Sequence, residues 1–261
     1  MGFNRSLGMT RRRFYAPPAA FSPGKTSPRL SAEESRHARD VLRLQRGDEI
    51  YVFDGEGQEY RCVIAQVTRD SIKLDLLEAV EAASPESPLQ LTLCVGLLKG
   101  ERFDLVVQKT AELGVKRLRP IISHRADVRI KSDVDAKRKV IRWQRIALEA
   151  TKQCGRAHLM TIDEPITFAE LIHDVESAKK MRLMFAERAG SSLIEALPAL
   201  PPAVSGLMAL TGPEGGWSDD EIVQAKELGW RVVTLGGRTL RAETAAIVAA
   251  ALLQHRCGDL V

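Results

Sequence analysis

The chain has 261 residues, 44% apolar and 28% charged, with a formal net charge of +4. That length allows one large domain or two small ones, and the composition suits an ordinary packed core. No apolar run approaches the roughly 18 residues of a membrane-spanning helix, and the basic start, MGFNRSLGMTRRRF, lacks the apolar stretch of a secretory signal.

Residues 1–10 are expected to form a disordered leader, with Met9 a second candidate start. Residues 11–80 read as β-rich. Ser31-Ala-Glu-Glu34 has the spacing of a capping box and predicts a short helix to about Leu44. Asp48–Phe53 reads as a strand, and Asp54-Gly-Glu-Gly57 as a turn in which glycine accepts positive φ. Gln58–Val67 sets Tyr60, Cys62 and Ile64 against Arg61, Val63 and Ala65, a half-buried strand, and Ser71–Leu77 is another. Together these describe a small barrel with one helix. The small, Pro-interrupted stretch 79–88 holds a linker, set at 81–88.

From Leu89 the pattern becomes strand then helix, repeatedly. Strands are predicted at Leu89–Gly96, Leu118–Ser123, Arg182–Ala186, Leu207–Thr211 and Val232–Leu235. Phe103, Val106, Val107 and Thr110 share a helical face that Gly114 terminates, and Val140, Trp143, Ala147 and Leu148 mark a second buried face. Ser218–Leu228 is a helix with a capping box at Ser218 and Glu221 and a stop at Gly229; Ala242–Gln254 closes the chain as a helix. Such alternation implies a mainly parallel sheet covered on both faces, an α/β domain over 89–261.

Charge is uneven. Residues 97–156 hold 16 Lys and Arg against 7 Asp and Glu, an excess of +9, so the remainder sums to −5. Arg138, Arg142, Arg145, Glu149, Lys152 and Arg156 recur at spacings of four and three, opposite Val140 and Trp143. Lys99, Arg102, Lys109 and the Arg11-Arg12-Arg13 run could extend that face. This is either a polyanion-binding surface or a plain solvated one.

Two loops end apolar strands and lead into helices. The first is Leu210-Thr-Gly-Pro-Glu-Gly-Gly-Trp217, which lacks the Gly-Lys-Ser/Thr of a P-loop and the spacing of a dinucleotide fingerprint. By itself it serves either as a tight turn or as a ligand loop, since glycines let a backbone approach a ligand closely. The second, Leu235-Gly-Gly237, continues into Arg238-Thr-Leu-Arg-Ala-Glu-Thr244. Glu243 and Thr244 suit a helix first turn, whereas Arg238 and Arg241 oppose the dipole there and call for an anionic partner. In an open α/β sheet such strand ends carry the ligand. Cys62, Cys94, Cys154 and Cys257 form no C-x-x-C pair and no metal-ligand spacing with the five histidines, so they read as reduced thiols of a cytoplasmic protein without a metal. No Ser or Cys sits in a nucleophile motif, which leaves hydrolase chemistry without support.

Seven segments, in order, resemble one family: Arg12-Arg-Phe14; His37-Ala-Arg-Asp-Val-Leu-Arg43; Lys99-Gly-Glu-Arg-Phe-Asp104; Gln108-Lys-Thr-Ala-Glu-Leu-Gly-Val115; Glu149-Ala-Thr-Lys-Gln153 with Gly155-Arg156; Gly212-Pro-Glu-Gly-Gly216; and Leu235-Gly-Gly-Arg-Thr-Leu-Arg-Ala-Glu-Thr-Ala245. The chain resembles the ribosomal RNA small subunit methyltransferase E family, of the SPOUT superfamily. The resemblance implies a C-terminal trefoil-knotted methyltransferase domain, an N-terminal PUA-like β-barrel that binds RNA, and a homodimer. It implies S-adenosyl-L-methionine as cofactor and N3 of one uridine in 16S rRNA of the small ribosomal subunit as the methyl acceptor. Carried over residue by residue, it gives Arg241 and Glu243 as catalytic. Leu210, Thr211, Gly212, Pro213, Glu214, Gly215, Gly216, Leu235, Gly236, Arg238, Leu240, Thr244 and Ala245 become cofactor-binding. Arg12, Arg13, Arg43, Lys99, Arg102, Lys109, Arg142, Gln153 and Arg156 become RNA-binding. Cys154 and Thr239 depart from the family's usual small polar and aliphatic residues. A ribose 2′-O-methyltransferase of the same superfamily and a non-catalytic RNA-binding protein are the rival readings.

Overall fold

A computed structural model describes residues 11–22, 27–174, 179–197 and 206–260. The expected leader at 1–10 lies outside the described residues. The chain divides into two compact units: one runs up to Glu86 and adds Thr151–Leu159, and the other holds Ser87–Ala150 and residues from Met160 on.

The first unit is built on a four-stranded sheet of β1 (Arg13–Tyr15), β2 (Glu49–Phe53), β3 (Glu59–Val67) and β4 (Ile72–Val80), in that order. β1 runs parallel to β2, and the other pairs are antiparallel. Register shifts at Arg61/Cys62 and Ile64/Gln66 bend β3, as bulges do. Ile50, Val52, Cys62, Ile64, Ile72 and Leu74 form its core with Phe14 and Leu44. In the β2–β3 turn, Asp54 Oδ1 accepts from the amides of Glu56 (2.8 Å) and Gln58 (3.0 Å), and Gly55 and Gly57 take φ of 84° and 113°.

The predicted helix is shorter than expected. Ser31 caps α1 (Ala32–Arg36), its hydroxyl accepting from the Glu34 amide at 3.2 Å. Glu34 turns its carboxylate to Lys152 Nζ at 2.8 Å rather than back to the cap. A single π turn over His37–Val41 follows, and Arg43 at φ 54° ends the run before Leu44.

By its contacts Thr151–Leu159 groups with this sheet. The assumed linker is also ordered. β4 extends to Val80, the Ser84 amide donates to the Gly155 carbonyl at 3.0 Å, and Ser84 Oγ donates to the Cys154 carbonyl at 3.0 Å.

The second unit follows the predicted alternation. Its elements are β5 (Leu91–Gly96), α2 (Arg102–Glu112), β6 (Arg117–Ile122), α3 (Asp133–Cys154, whose last turn lies in the first unit), β7 (Thr161–Ile162), β8 (Ile166–Thr167), α4 (Phe168–Ile172), β9 (Met181–Phe185), α5 (Leu193–Ala196), β10 (Leu207–Thr211), α6 (Asp219–Glu227), β11 (Arg231–Val233) and α7 (Ala242–Cys257). The sheet order is β11-β9-β10-β5-β6-β7, with β8 also beside β6, and each of these pairings is parallel. β10 comes late in the chain yet lies between β9 and β5, so strands far apart in sequence present neighbouring carboxyl ends.

Side-chain alternation sends the two sheet faces to separate cores. Leu91, Leu93, Leu207 and Ala209 meet Phe103, Trp143, Ala246 and Leu253 of α2, α3 and α7. Cys94, Met208 and Leu210 meet Phe168, Ile222 and Ala225 of α4 and α6. β11 stops at Val233, two residues before the predicted end, because Thr234 onward forms a loop.

Candidate active site

Three loops leave the carboxyl ends of adjacent strands β9, β10 and β11, and together they line a cavity of about 500 Å³. The parallel sheet produces this meeting, since it sends every strand-to-helix turn of this region to one edge.

The floor is held from below. Trp217 is buried and its Nε1 donates to the Phe185 carbonyl at 2.9 Å, fixing the β10–α6 loop to the end of β9. Arg125 donates to the carbonyls of Gly215 and Trp217 (3.4 and 3.3 Å), and Arg188 to that of Trp217 and to Asp219 Oδ1 at 2.7 Å. That hydrogen bond from Arg188 holds the Asp219 carboxyl below the usual carboxylate range. Ser218 and Glu221 form the full reciprocal capping box of α6, and Glu221 also accepts from the His124 amide at 3.1 Å.

Close approach requires two further glycines. A Cβ on Gly96 would stand 2.5 Å from the Pro213 nitrogen, and one on Gly190 would stand 2.7 Å from the Val233 carbonyl carbon. Both contacts are with backbone, which cannot swing away. Gly216 and Gly236, at φ of 64° and 91°, have nothing within 4 Å of where a Cβ would lie, so backbone is left open on both loops.

Several residues around the cavity carry buried polar oxygens without a partner among the described residues. Ten buried side-chain polar atoms lack a partner among the described residues, and four of them belong to residues that line this cavity: Thr211 Oγ1, Glu214 Oε2, Thr234 Oγ1 and Glu243 Oε2. Buried acceptors are ordinarily satisfied, so such a concentration calls for a ligand that donates hydrogen bonds. Phe185, Pro213, Trp217, Leu235 and Leu240 add apolar surface. Amino, hydroxyl and cationic groups flanking a flat apolar ring fit this lining, and S-adenosylmethionine has that make-up.

The structure brings together most of the sequence-predicted site. Thr211, Gly212, Pro213, Glu214, Gly215, Gly216, Leu235, Gly236, Arg238, Leu240, Arg241, Glu243 and Ala245 all line the cavity. Leu210 and Thr244 do not: Leu210 points into the core under α6, and Thr244 is exposed on α7. Arg241 is the N-cap of α7; neither it nor Arg238 makes a side-chain cap or ion pair among the described residues, and both are exposed.

The RNA candidates separate into two groups. In the second unit, Lys99, Arg102 and Arg142 are exposed and Lys109 is half-buried; each is paired, with Asp127, Glu214, Asp104 and Glu112 respectively. In the first unit, Arg12, Arg43 and Gln153 are exposed. Arg13 and Arg156 are not available for RNA. The Arg13 side chain is buried, pairing with both oxygens of Glu59 (3.1 and 3.0 Å) and donating to the carbonyls of Thr151, Lys152 and Arg156. Arg156 is buried against Glu86 through two bonds of 3.0 Å. Gly155 at φ 90° ends α3 and takes Arg156 off the basic stripe.

Sequence reasoning missed Gly96, Gly190, Thr234, Arg125 and Arg188. A lone glycine closing an apolar strand is a sign of close backbone approach and could have flagged Gly96. Nothing local marks the other four.

Residues 85–254 match the model of an RNA methyltransferase domain, and residues 30–77 that of an RNA methyltransferase PUA domain. The chain is therefore an RNA methyltransferase, and the cavity lies in the domain that carries the activity. Ribosomal RNA small subunit methyltransferase E of Synechocystis sp. is 33% identical over 222 residues, 85% of this chain and 71% of the relative, and that of Bacillus subtilis is 29% identical over 87% and 89%. The crystal structure of the Neisseria gonorrhoeae enzyme of that name bound to S-adenosyl methionine is 31% identical, covers 96% of this chain and 100% of its own, and has a TM-score of 0.83. A putative methyltransferase from Legionella pneumophila, in complex with the same cofactor, is 32% identical over 97% and 100%, with a TM-score of 0.87. The chain belongs to the ribosomal RNA small subunit methyltransferase E family.

Proposed function

We propose that the cavity binds S-adenosylmethionine and that the enzyme methylates N3 of one uridine in 16S rRNA of the small ribosomal subunit. The names of the relatives and the cofactor in the Neisseria and Legionella structures support this reading. The observation that carries it is the set of four buried polar oxygens without a partner among the described residues, on side chains lining a cavity walled by two glycine-bearing loops.

When bound, the cofactor supplies a methyl carbon made electrophilic by its sulfonium. The open backbone of 212–216 and 235–240 would hold it, and the carboxylates of Glu214 and Glu243 and the hydroxyls of Thr211 and Thr234 would accept its donors or those of the base. N3 lies on the Watson–Crick edge, so the uridine must be unpaired or flipped out to present it. N3 also carries a proton that must leave. Glu243 Oε2 is buried and without a partner among the described residues, which suits it to accept that proton. Arg241 at the rim would stabilise the imide anion that develops as the proton departs. Such positioning of base against methyl can contribute several kcal/mol.

RNA would be held by Lys99, Arg102, Lys109 and Arg142 of the catalytic domain and by Arg12, Arg43 and Gln153 of the other unit. The trefoil knot, a homodimer and a cytoplasmic location belong to the same reading. Domain limits of 11–80 and 89–261 are supported by the family matches over 30–77 and 85–254, while contacts group Thr151–Leu159 with the first unit. The test is incubation with labelled cofactor and either small subunits or naked 16S rRNA, followed by nucleoside mass spectrometry. Label in 3-methyluridine is expected; label on a ribose 2′ oxygen contradicts the assignment.

A further inference from the structure

Glu214 has two oxygens with different duties. Oε1 accepts the Lys99 amide at 3.0 Å and the Arg102 guanidinium at 3.1 Å, so it ties the β5–α2 loop to the glycine loop after β10. Oε2 is buried and has no partner among the described residues, on a side chain that lines the cavity. Gly100 at φ 59° lets the β5–α2 loop turn back on itself between those two contacts. Lys99 and Arg102 are exposed, and this carboxylate holds the first by its backbone amide and the second by its guanidinium. One planar group thus touches both the ligand cavity and the segment that presents two cations to solvent.

We propose that Glu214 is a positioning residue that couples cofactor occupancy to RNA binding. It rests on the preceding reading of the cavity. An N–H or O–H donor of the bound cofactor satisfies Oε2 and fixes the carboxylate plane. The other oxygen then holds Lys99 and Arg102 in one arrangement, and RNA meets an ordered loop. Linkage requires the converse, with RNA tightening the cofactor by the same factor.

The test uses the full chain, S-adenosylhomocysteine as unreactive cofactor and transcribed 16S rRNA, measuring RNA affinity with and without cofactor. In the unaltered protein the cofactor is expected to tighten RNA binding by about 5-fold or more, the lower end of common coupling factors. In Glu214→Ala that ratio is expected to fall to about 1. Arg102→Met removes the guanidinium from Oε1, so the ratio should drop whatever happens to RNA affinity itself. This second variant keeps the test decisive if Glu214→Ala fails to fold. A ratio of about 1 in the unaltered protein, with both ligands binding, overturns the coupling alone. So does an unchanged ratio in either folded variant. Failure of the unaltered protein to bind the cofactor overturns the reading of the cavity as well.

Discussion

Arg241 and Glu243 stand two residues apart yet face opposite circumstances. Arg241 is exposed at the helix cap with no ion-pair partner among the described residues, whereas Glu243 is buried with one oxygen unsatisfied. Each arrangement costs stability unless a ligand completes it. Arg241→Ala should therefore keep S-adenosylmethionine affinity and lose about 10²–10³-fold in kcat, the usual effect of deleting one donor to a developing anion. Calorimetry paired with single-turnover rates checks this, and lost cofactor affinity would place Arg241 in the cofactor pocket instead. Cysteine gives a second residue-scale prediction. Burial pushes the thiols of Cys62 and Cys94 up to about 12. They should resist iodoacetamide at pH 8 in the folded protein. Because the folded value exceeds the ordinary thiol value, their contribution to stability is complete below about pH 9 and is lost as pH rises toward 12. Alkaline melts of the Cys62→Ala and Cys94→Ala variants, compared with the unaltered protein, would show whether that loss comes from these two thiols.

At the scale of elements, α6 shows how a local signal survives folding. Ser218 and Glu221 are three residues apart, and the cap they form is complete. Ser218→Ala should cost about 1 kcal/mol, read as a lowered melting temperature, and should weaken cofactor binding because the cap anchors the loop above it. The same spacing at Ser31 and Glu34 yields only half a box, since Lys152 competes for Glu34. Local spacing names the two groups but not the distant competitor. Short elements were likewise hidden: β1 has three residues and β7 and β8 two each, too few for any periodicity to register. The long apolar strands, the helix stops at Gly114 and Gly229 and both glycine loops were legible because each depends on neighbours along the chain. The order of strands was not, because pairing of β10 with β5 depends on residues more than a hundred apart.

Over the whole molecule, charge was visible in the sequence and its use was not. Arg13 and Arg156 sit in basic runs, yet both are buried against Glu59 and Glu86. Glu59→Ala would leave Arg13 charged, buried and without its carboxylate, so a loss of about 3–5 kcal/mol in the first unit is expected from its denaturation midpoint. Arg142→Ala should instead leave stability near normal and reduce the slope of log K against log salt for RNA by about 0.7–0.9, one phosphate contact. An unchanged slope would remove Arg142 from the RNA surface. The two loops that the sequence singled out do share one cavity, which is where the parallel sheet delivers them.

The most direct measurement is a calorimetric titration of S-adenosylmethionine into the unaltered chain and into Gly216→Val and Gly236→Val, one variant on each loop. Both positions have open space around a Cβ, so the folded chain should persist at a cost of roughly 1–2 kcal/mol for the left-handed backbone. One site per chain is predicted for the unaltered protein, with affinity lost in both variants. No binding to the unaltered chain, or binding that neither substitution changes, would contradict a cofactor site formed jointly by the two loops.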